Sequence, residues 1–262
     1  MPHPFLAALS PASFAAPRWF PPSTWVQHAP FAFWLIDTLR PRNFVELGSH
    51  YGYSFFAVCQ MVQALGLATR CTAIDTWSGD AHAGFYKDKV FADVSGHASA
   101  HYASFATLKR MTFDAAAPEF ATSSIDLLHI DGRHFYDDVK HDFETWAPKL
   151  MRPGIVLFHD TRVLDRGFGV HRLWSEIRGA YPSFEFPHGH GLGVLAVGES
   201  LPPSLVAFFE LAKDATAAGH IRAAYERLGA SLEEPAKRGR QAFKTGWRTQ
   251  ARRGMHQLLG RA

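Results

Sequence analysis

The chain of 262 residues is 47% hydrophobic, enough to bury one large α/β core and too apolar for a disordered polymer. Its net charge of +3 is unevenly held: residues 236–262 carry eight Lys and Arg and no acid, which leaves the remainder at −5, so the basicity belongs to a tail and not to the body. No run approaches the ~18 apolar residues of a membrane span, the start lacks a basic segment followed by an apolar block, and Cys59 and Cys71 have no framework spacing, all of which points to the reducing cytoplasm.

Residues 1–29 hold too many prolines for a regular element and are expected to lie as a lead segment across the domain surface. Their aromatics, Phe5, Phe14, Trp19, Phe20 and Trp25, suit packing or a dimer contact. Pro30–Leu39 reads as an apolar helix closed by Arg40 and Pro41. Asn43–Leu47 is a short strand, and Gly48 to Ser54 lead from it into the apolar helix FFAVCQMVQAL. A strand turning through glycines into a helix brings backbone N–H groups up to a ligand. The spacing is Glu-x-Gly-x-x-x-Gly, not the Gly-x-Gly-x-x-Gly of dinucleotide sites. Alone it fits an ordinary turn. Cys71–Ile74, however, is a second strand ending in Asp75, where one carboxylate can accept from both hydroxyls of a ribose. Turn and acid together point to a nucleoside-containing ligand.

Residues 76–96 hold a loop and a helix, Ala106–Met111 a third strand and Phe113–Phe120 a short helix. The centre of the chain is residues 125–161, IDLLHIDGRHFYDDVKHDFETWAPKLMRPGIVLFHDT. Ile125–Ile130 and Gly154–Phe158 are apolar runs with little alternation, as in parallel strands covered on both faces. Between them Phe135, Val139, Phe143, Trp146 and Leu150 recur at helical spacing, while Asp137, Asp138, Lys140 and Glu144 stay wet. Both strands of this βαβ unit end in a carboxylate, Asp131 and Asp160, at the edge where such sheets bind ligands. A helix over Val170–Ala180 and an antiparallel pair, Ser183–Phe186 and Leu192–Val197, follow. From Leu201 the chain reads as helical, breaking near Glu233, Glu234 and Pro235. The expected division is a lead over 1–29, a domain over 30–200 and a helical extension with a basic tail over 201–262.

These residues resemble the class I S-adenosylmethionine-dependent methyltransferases in the order VELGSHYGYS, AIDTW, IDLLHIDG, LFHDT and a closing hairpin. The longer strings WSGDAHAGFY, LLHIDGRHFYDDVKHDFETW, GFGV and HGLGVLAVG are similar to methyltransferase family 24, the group of macrocin-, mycinamicin- and rhamnosyl-type O-methyltransferases. The resemblance implies a Rossmann-like α/β fold: a seven-stranded, mostly parallel sheet with one antiparallel strand and helices on both faces. It implies that Glu46, Gly48, Ser49, Gly52 and Ser54 line the methionine part of S-adenosyl-L-methionine, Asp75 its ribose, and Trp77 or Phe113 its adenine. It further implies Mg2+ or another divalent metal at Asp131, His159 and Asp160, with His134 as general base beside Asp131. His159 stands where the family has an acid, and imidazole in place of carboxylate weakens a magnesium site or favours a transition metal.

Independently of the family, methyl transfer from a sulfonium to a hydroxyl needs an in-line acceptor oxygen and a group to take its proton, which a histidine can do near neutral pH. A cation bridging two oxygens would lower the pKa of the acceptor. Together with the resemblance to methyltransferase family 24, this makes the expected reaction O-methylation of a sugar hydroxyl on a small-molecule or glycan acceptor, by a homo-oligomer that takes no nucleic acid as substrate. Two other readings stand beside it. His129, Asp131 and His159 superficially match the two-His-one-carboxylate set of non-haem iron oxygenases, and a non-catalytic scaffold would leave the basic tail as the functional element. Asp131 and Asp160 also suit helix caps, and His129 a buried, hydrogen-bonded position. In the tail, Phe243, Trp247, Met255 and Leu258 or Leu259 form a partly amphipathic pattern, read as a surface or docking helix, with membrane-surface contact as the minority reading.

Overall fold

Apart from a small hairpin at residues 79–85, strands and helices alternate from Asn43 to Ile177, as a parallel sheet with crossover helices requires. A computed structural model describes residues 7–243 apart from 81, 83, 87 and 199. The chain runs α1 (Ala29–Leu39), β1 (Asn43–Leu47), α2 (Tyr53–Ala64), β2 (Arg70–Asp75), a small hairpin β3 (Gly79–Asp80) and β4 (Gly84–Phe85), α3 (Lys89–His101), β5 (Ala106–Arg110) and α4 (Phe113–Ala116). It continues through β6 (Ile125–Ile130), α5 (Tyr136–Trp146), β7 (Leu150–His159), α6 (Val170–Ile177), β8 (Ser183–Phe186), β9 (Leu192–Val197), α7 (Pro203–Lys213) and α8 (Ala215–Ala230). A further helix covers residues 233–243.

One seven-stranded sheet has the order β5-β2-β1-β6-β7-β9-β8. Neighbours from β5 to β7 are parallel, and β9 is antiparallel to both β7 and β8, so β9 is the one reversed strand. This is the Rossmann-like sheet the sequence leads one to expect. The chain builds outward from β1 through β2 to β5, then returns to lay β6 against the other side of β1. Such a reversal opens a crevice beyond the carboxyl ends of the two strands.

Side chains of successive strand residues point to opposite faces, so each strand feeds two cores. On one face Phe44, Leu127, Ile155 and Leu157 pack with α1, α2, α7 and α8; on the other Val45, Leu47, Leu128, Val156 and Phe158 pack with α5 and α6. The lead segment was expected to lie on the surface, and part of it does: Phe14 is exposed. Ala8, Trp25 and Val26, by contrast, belong to the first core, with Tyr225 of α8 donating its hydroxyl to the Ala8 carbonyl at 2.6 Å. Its prolines break regular structure without keeping its large aromatic out of the interior. Cys59 and Cys71 are buried and free. No described helix is long and apolar enough to cross a membrane. Of the amphipathic tail pattern only Phe243 falls within the described residues, where it meets Trp19 and Tyr51 edge-on; Trp247, Met255, Leu258 and Leu259 lie outside them.

Candidate active site

The crevice between β1 and β6 is shaped first by glycine. Gly48 sits at φ +85, its N–H donates to the Ile74 carbonyl at 2.9 Å, and a Cβ there would strike the backbone of Asp131. Gly52, at φ +77, starts α2. Asp75 Oδ2 accepts the N–H groups of Ser49 and His50 at 2.9 Å each, and its Oδ1 accepts that of Trp77 at 2.7 Å. Three of the roughly four lone-pair sites of this carboxylate are therefore used to hold the turn, which leaves one for a ligand hydroxyl.

Behind the turn lies a buried chain of hydrogen bonds. Glu46, with no exposed surface, accepts the Ser49 hydroxyl at 2.6 Å on Oε1 and faces His129 Nδ1 at 2.9 Å with Oε2. The indole N–H of Trp25 donates to His129 Nε2 at 3.2 Å. Since Nε2 accepts, Nδ1 carries the proton and donates to Glu46. Both nitrogens of His129 are thus occupied, so it has no lone pair for iron and the oxygenase reading loses its first ligand. Glu46 acts on the crevice through Ser49, from behind the wall.

The acidic end of the crevice forms where β6 and β7 stop. His134 Nε2 lies 2.9 Å from Asp160 Oδ2 and 3.4 Å from Asp131 Oδ1. His159 Nδ1 lies 3.2 Å from Asp131 Oδ1 and 3.6 Å from Asp160 Oδ1, and its Nε2 lies 3.2 Å from the Gly189 carbonyl. Carbonyl and carboxylate only accept, so His159 donates from both nitrogens and is an imidazolium. Burial disfavours charge on both rings, but the carboxylates outweigh it. Hydrogen bonds to Asp131 and Asp160 push His134 up to about 10, and the charges of the same two acids push His159 up to about 9. Burial alone would raise the two acids; the facing imidazoles, His159 foremost, instead hold Asp131 well below the usual carboxylate range and Asp160 below it. His190, from the loop between β8 and β9, brings Nδ1 to 3.2 Å from Asp160 Oδ1. Asp160 and His190 are both left-handed, at φ +62 and +71, a local strain of the kind that collects at functional sites.

Gly48, Ser49, Ser54, Asp75, Phe113, Asp131, His134 and Asp160 line a single cavity of about 680 Å3, large enough for a nucleoside-sized ligand. Glu46, Gly52, Trp77 and His159 stand outside its lining. Trp77 is fully buried, its indole N–H on the His50 carbonyl and its ring against Phe91, so of the two aromatics considered for adenine only Phe113 reaches the cavity.

Residues 45–161 of this chain match the family model described as a methyltransferase domain, of the family 24 type. That stretch is 117 of the 262 residues, and it is similar to the methyltransferase domain of that family. Uncharacterized protein y4gI of Sinorhizobium fredii (strain NBRC 101917 / NGR234) is 51% identical over 190 residues, 72% of this chain, and the chain spans only 21% of that relative. Cofactor-bound Rv0187 from MTB is similar in structure, with a TM-score of 0.52 at 16% identity over 76% of this chain and 91% of that one. A proposed caffeoyl-CoA O-methyltransferase from Staphylococcus aureus gives 0.50 at 15% identity over 63% and 80%. At such identities the likeness shows the fold alone.

Within residues 45–161, Asp131, His134 and Asp160 offer donor atoms within 4.8 Å of one another, with His134 in the place expected of His159. That spacing would admit a small cation. The chemistry of the set does not call for one, because two carboxylates already face two imidazolium groups and a protonated imidazole has no lone pair to give. The residues present fit magnesium poorly. Among the lining residues that went unread in the sequence are His190 and Asp142. His190 sits in PHGHG, which reads only as a hairpin connection. Asp142 is buried and faces the cavity, and its signal was available: a carboxylate set into the apolar stripe of Val139, Phe143 and Trp146 on α5.

Proposed function

We propose that the chain is an S-adenosyl-L-methionine-dependent O-methyltransferase in which His134 takes the proton of an acceptor hydroxyl. The observation that carries this reading is that the glycine turn, Asp75 and the Asp131–His134–Asp160 cluster open into one cavity. The remaining lone pair of Asp75 suits a ribose hydroxyl, and Gly48 and Ser49 suit the methionine part. When bound, the cofactor supplies an electrophilic methyl group and the positive charge of its sulfonium.

The residues of the chain do the rest. His134 is protonated in the free protein, within a cluster that is neutral overall. Added positive charge beside that cluster weakens the hold of His134 on its second proton; Nε2, facing the two carboxylates, keeps its own, and Nδ1, which has no partner among the described residues, is readied to accept one. Asp131 and Asp160 then stabilise the imidazolium that forms when the hydroxyl proton arrives. The cavity wall holds the acceptor oxygen in line, which is the larger part of what such a transfer requires. We infer a sugar hydroxyl as the acceptor. In support, the far end combines ring surface, with Phe168 stacked on His134 at 4.5 Å, and polar groups from Arg166 and His190.

A divalent ion belongs to this reading only as a competitor for the proton on His134. A homo-oligomer and lipid contact by the basic tail rest on composition, and light scattering and vesicle sedimentation test them. The central experiment is transfer of a labelled methyl group to a panel of glycosides and phenols by the intact protein and by His134→Gln. We expect transfer to glycosides, a loss of about 100-fold or more in kcat for the variant, and little change in its affinity for S-adenosylhomocysteine, whose sulfur carries no charge. Failure of the folded protein to bind either S-adenosylmethionine or S-adenosylhomocysteine in calorimetry rejects the reading.

A further inference from the structure

Asp142 is a carboxylate with no part in the chemistry above. It projects from the buried side of α5, is 7% exposed, lines the cavity and has no hydrogen bond or ion pair among the described residues. Its position is defined by Gly132. A Cβ on Gly132 would stand 3.3 Å from Asp142 Oδ2 and would collide with the ring of Phe113. Ring and carboxylate therefore flank the same backbone point, and the lack of a side chain at Gly132 keeps the slot between them open. The other polar groups nearby already have partners. The Thr112 hydroxyl oxygen accepts the Ala115 N–H at 3.2 Å, and Asp114 pairs with His141 at 2.7 Å.

A buried acceptor with no donor is costly, and native structures keep such groups where a ligand or water satisfies them. An apolar ring beside one lone acceptor suits a flat heterocycle that carries an exocyclic N–H. Within the proposed cofactor only adenine has both features. Resting on that reading of the cofactor, we infer that Asp142 accepts the 6-amino group of adenine and selects adenine over purines that lack it.

The hydrogen bond is strongest to ionised Asp142, since a protonated carboxyl offers only a neutral acceptor. Burial pushes its carboxyl up to about 7; of the charged groups facing it, Asp138 on its own helix and Asp114 of α4 push the same way, while His141 and Arg133 pull it down. Binding of the amino donor favours the ionised form, so selectivity for adenine is strong above about pH 7 and fades below it.

The test measures affinity of the full chain for S-adenosylhomocysteine and for its 6-deamino analogue, with hydrogen in place of the amino group, at about pH 8 and about pH 6. At the higher pH the intact protein prefers the adenine compound by about tenfold or more, as expected for a hydrogen bond to a charged acceptor. The preference shrinks at the lower pH. Asp142→Leu abolishes it, and Asp142→Asn, which still offers a carbonyl oxygen, retains part of it with no dependence on pH. Equal preference in Asp142→Leu and the intact protein overturns the inference; should that variant not fold, a pH-independent preference in the intact protein overturns it equally. If the intact protein binds neither compound the cofactor reading fails; if it binds both alike, only the role of Asp142 does.

Discussion

Replacing Asp160 by Asn keeps the shape of the acidic cluster and removes one charge. In the intact protein Asp131 and Asp160 face His134 and His159, and the cluster is neutral; in the variant it carries one positive charge too many. Distances decide which proton leaves. His134 loses its shorter contact, 2.9 Å to Asp160, and keeps 3.4 Å to Asp131, whereas His159 loses only 3.6 Å and keeps 3.2 Å. His134 therefore gives way first. Loss of one adjacent charge moves a pKa by about 1 to 3 pH units, so the ring that titrates at about 10 in the intact protein titrates between about 7 and 9 in the variant. A histidine whose folded pKa stands above its unfolded value of ~6.5 stabilises the fold fully below that pH and loses this contribution as pH rises through the folded value. The loss thus falls at about 9 to 10 in the intact protein and begins correspondingly lower in Asp160→Asn. Each pH unit of the interval is worth roughly 1.4 kcal/mol, so the variant is less stable near neutral pH by about 1 to 4 kcal/mol. NMR titration of the histidine rings, assigned with His134→Gln, measures the first quantity, and urea midpoints across the same pH range measure the second. An intact protein with no ring titrating above about pH 8, or a variant in which that ring is unmoved, refutes the reasoning.

The buried chain behind the glycine turn makes a second prediction. His129→Phe leaves Glu46 with Ser49 alone in a dry site and costs about 3–5 kcal/mol, whereas Trp25→Phe removes only a neutral donor and, through the acceptor left unmet, costs about 1–3 kcal/mol; urea denaturation ranks the two, and near-equal losses contradict the chain as drawn. Chelation is the third: EDTA leaves methyl transfer essentially unchanged, and a drop of tenfold or more that magnesium or manganese restores would show that the imidazolium groups do not stand in for an ion. The fourth concerns proton release. Binding of S-adenosylmethionine, which is cationic, releases more protons near neutral pH than binding of uncharged-sulfur S-adenosylhomocysteine, measured by calorimetry in buffers of different ionisation enthalpy; identical release by the two compounds removes the proposed coupling between sulfonium and His134.

Strands were legible wherever local signals suffice. Asn43–Leu47, Ile125–Ile130, Ser183–Phe186 and Leu192–Val197 are short apolar runs bounded by turn residues, and all coincide with β1, β6, β8 and β9. β7 begins at Leu150, four residues before Gly154, because Met151, Arg152 and Pro153 look like a turn until Leu150 pairs with Ile125 across a register shift. The same division runs through the site. Asp75, Asp131 and Asp160 could be set on one rim from their places at strand ends, but their partners could not, since hydrogen bonds such as Trp25 to His129 join residues 104 positions apart. The lead segment misled for that reason: its anchors are in β6 and α8, which no local pattern reveals.

His159 shows what this separation does to chemical meaning. Read along the chain, a histidine in place of an acid looks like a damaged metal site. In three dimensions the Gly189 carbonyl, brought round by the hairpin of β8 and β9, takes Nε2 while Asp131 takes Nδ1, and a ring that donates twice must carry a charge. That charge turns Asp131 and Asp160 from would-be ligands into counter-ions, and leaves His134 as the more exposed of the two imidazoles and the one whose proton the cavity can reach. The two arrangements differ in what a carboxylate oxygen holds at rest, a proton donor or a metal. Chelation distinguishes them on the proposed methyl transfer, and the titration of His134 distinguishes them on the protein alone.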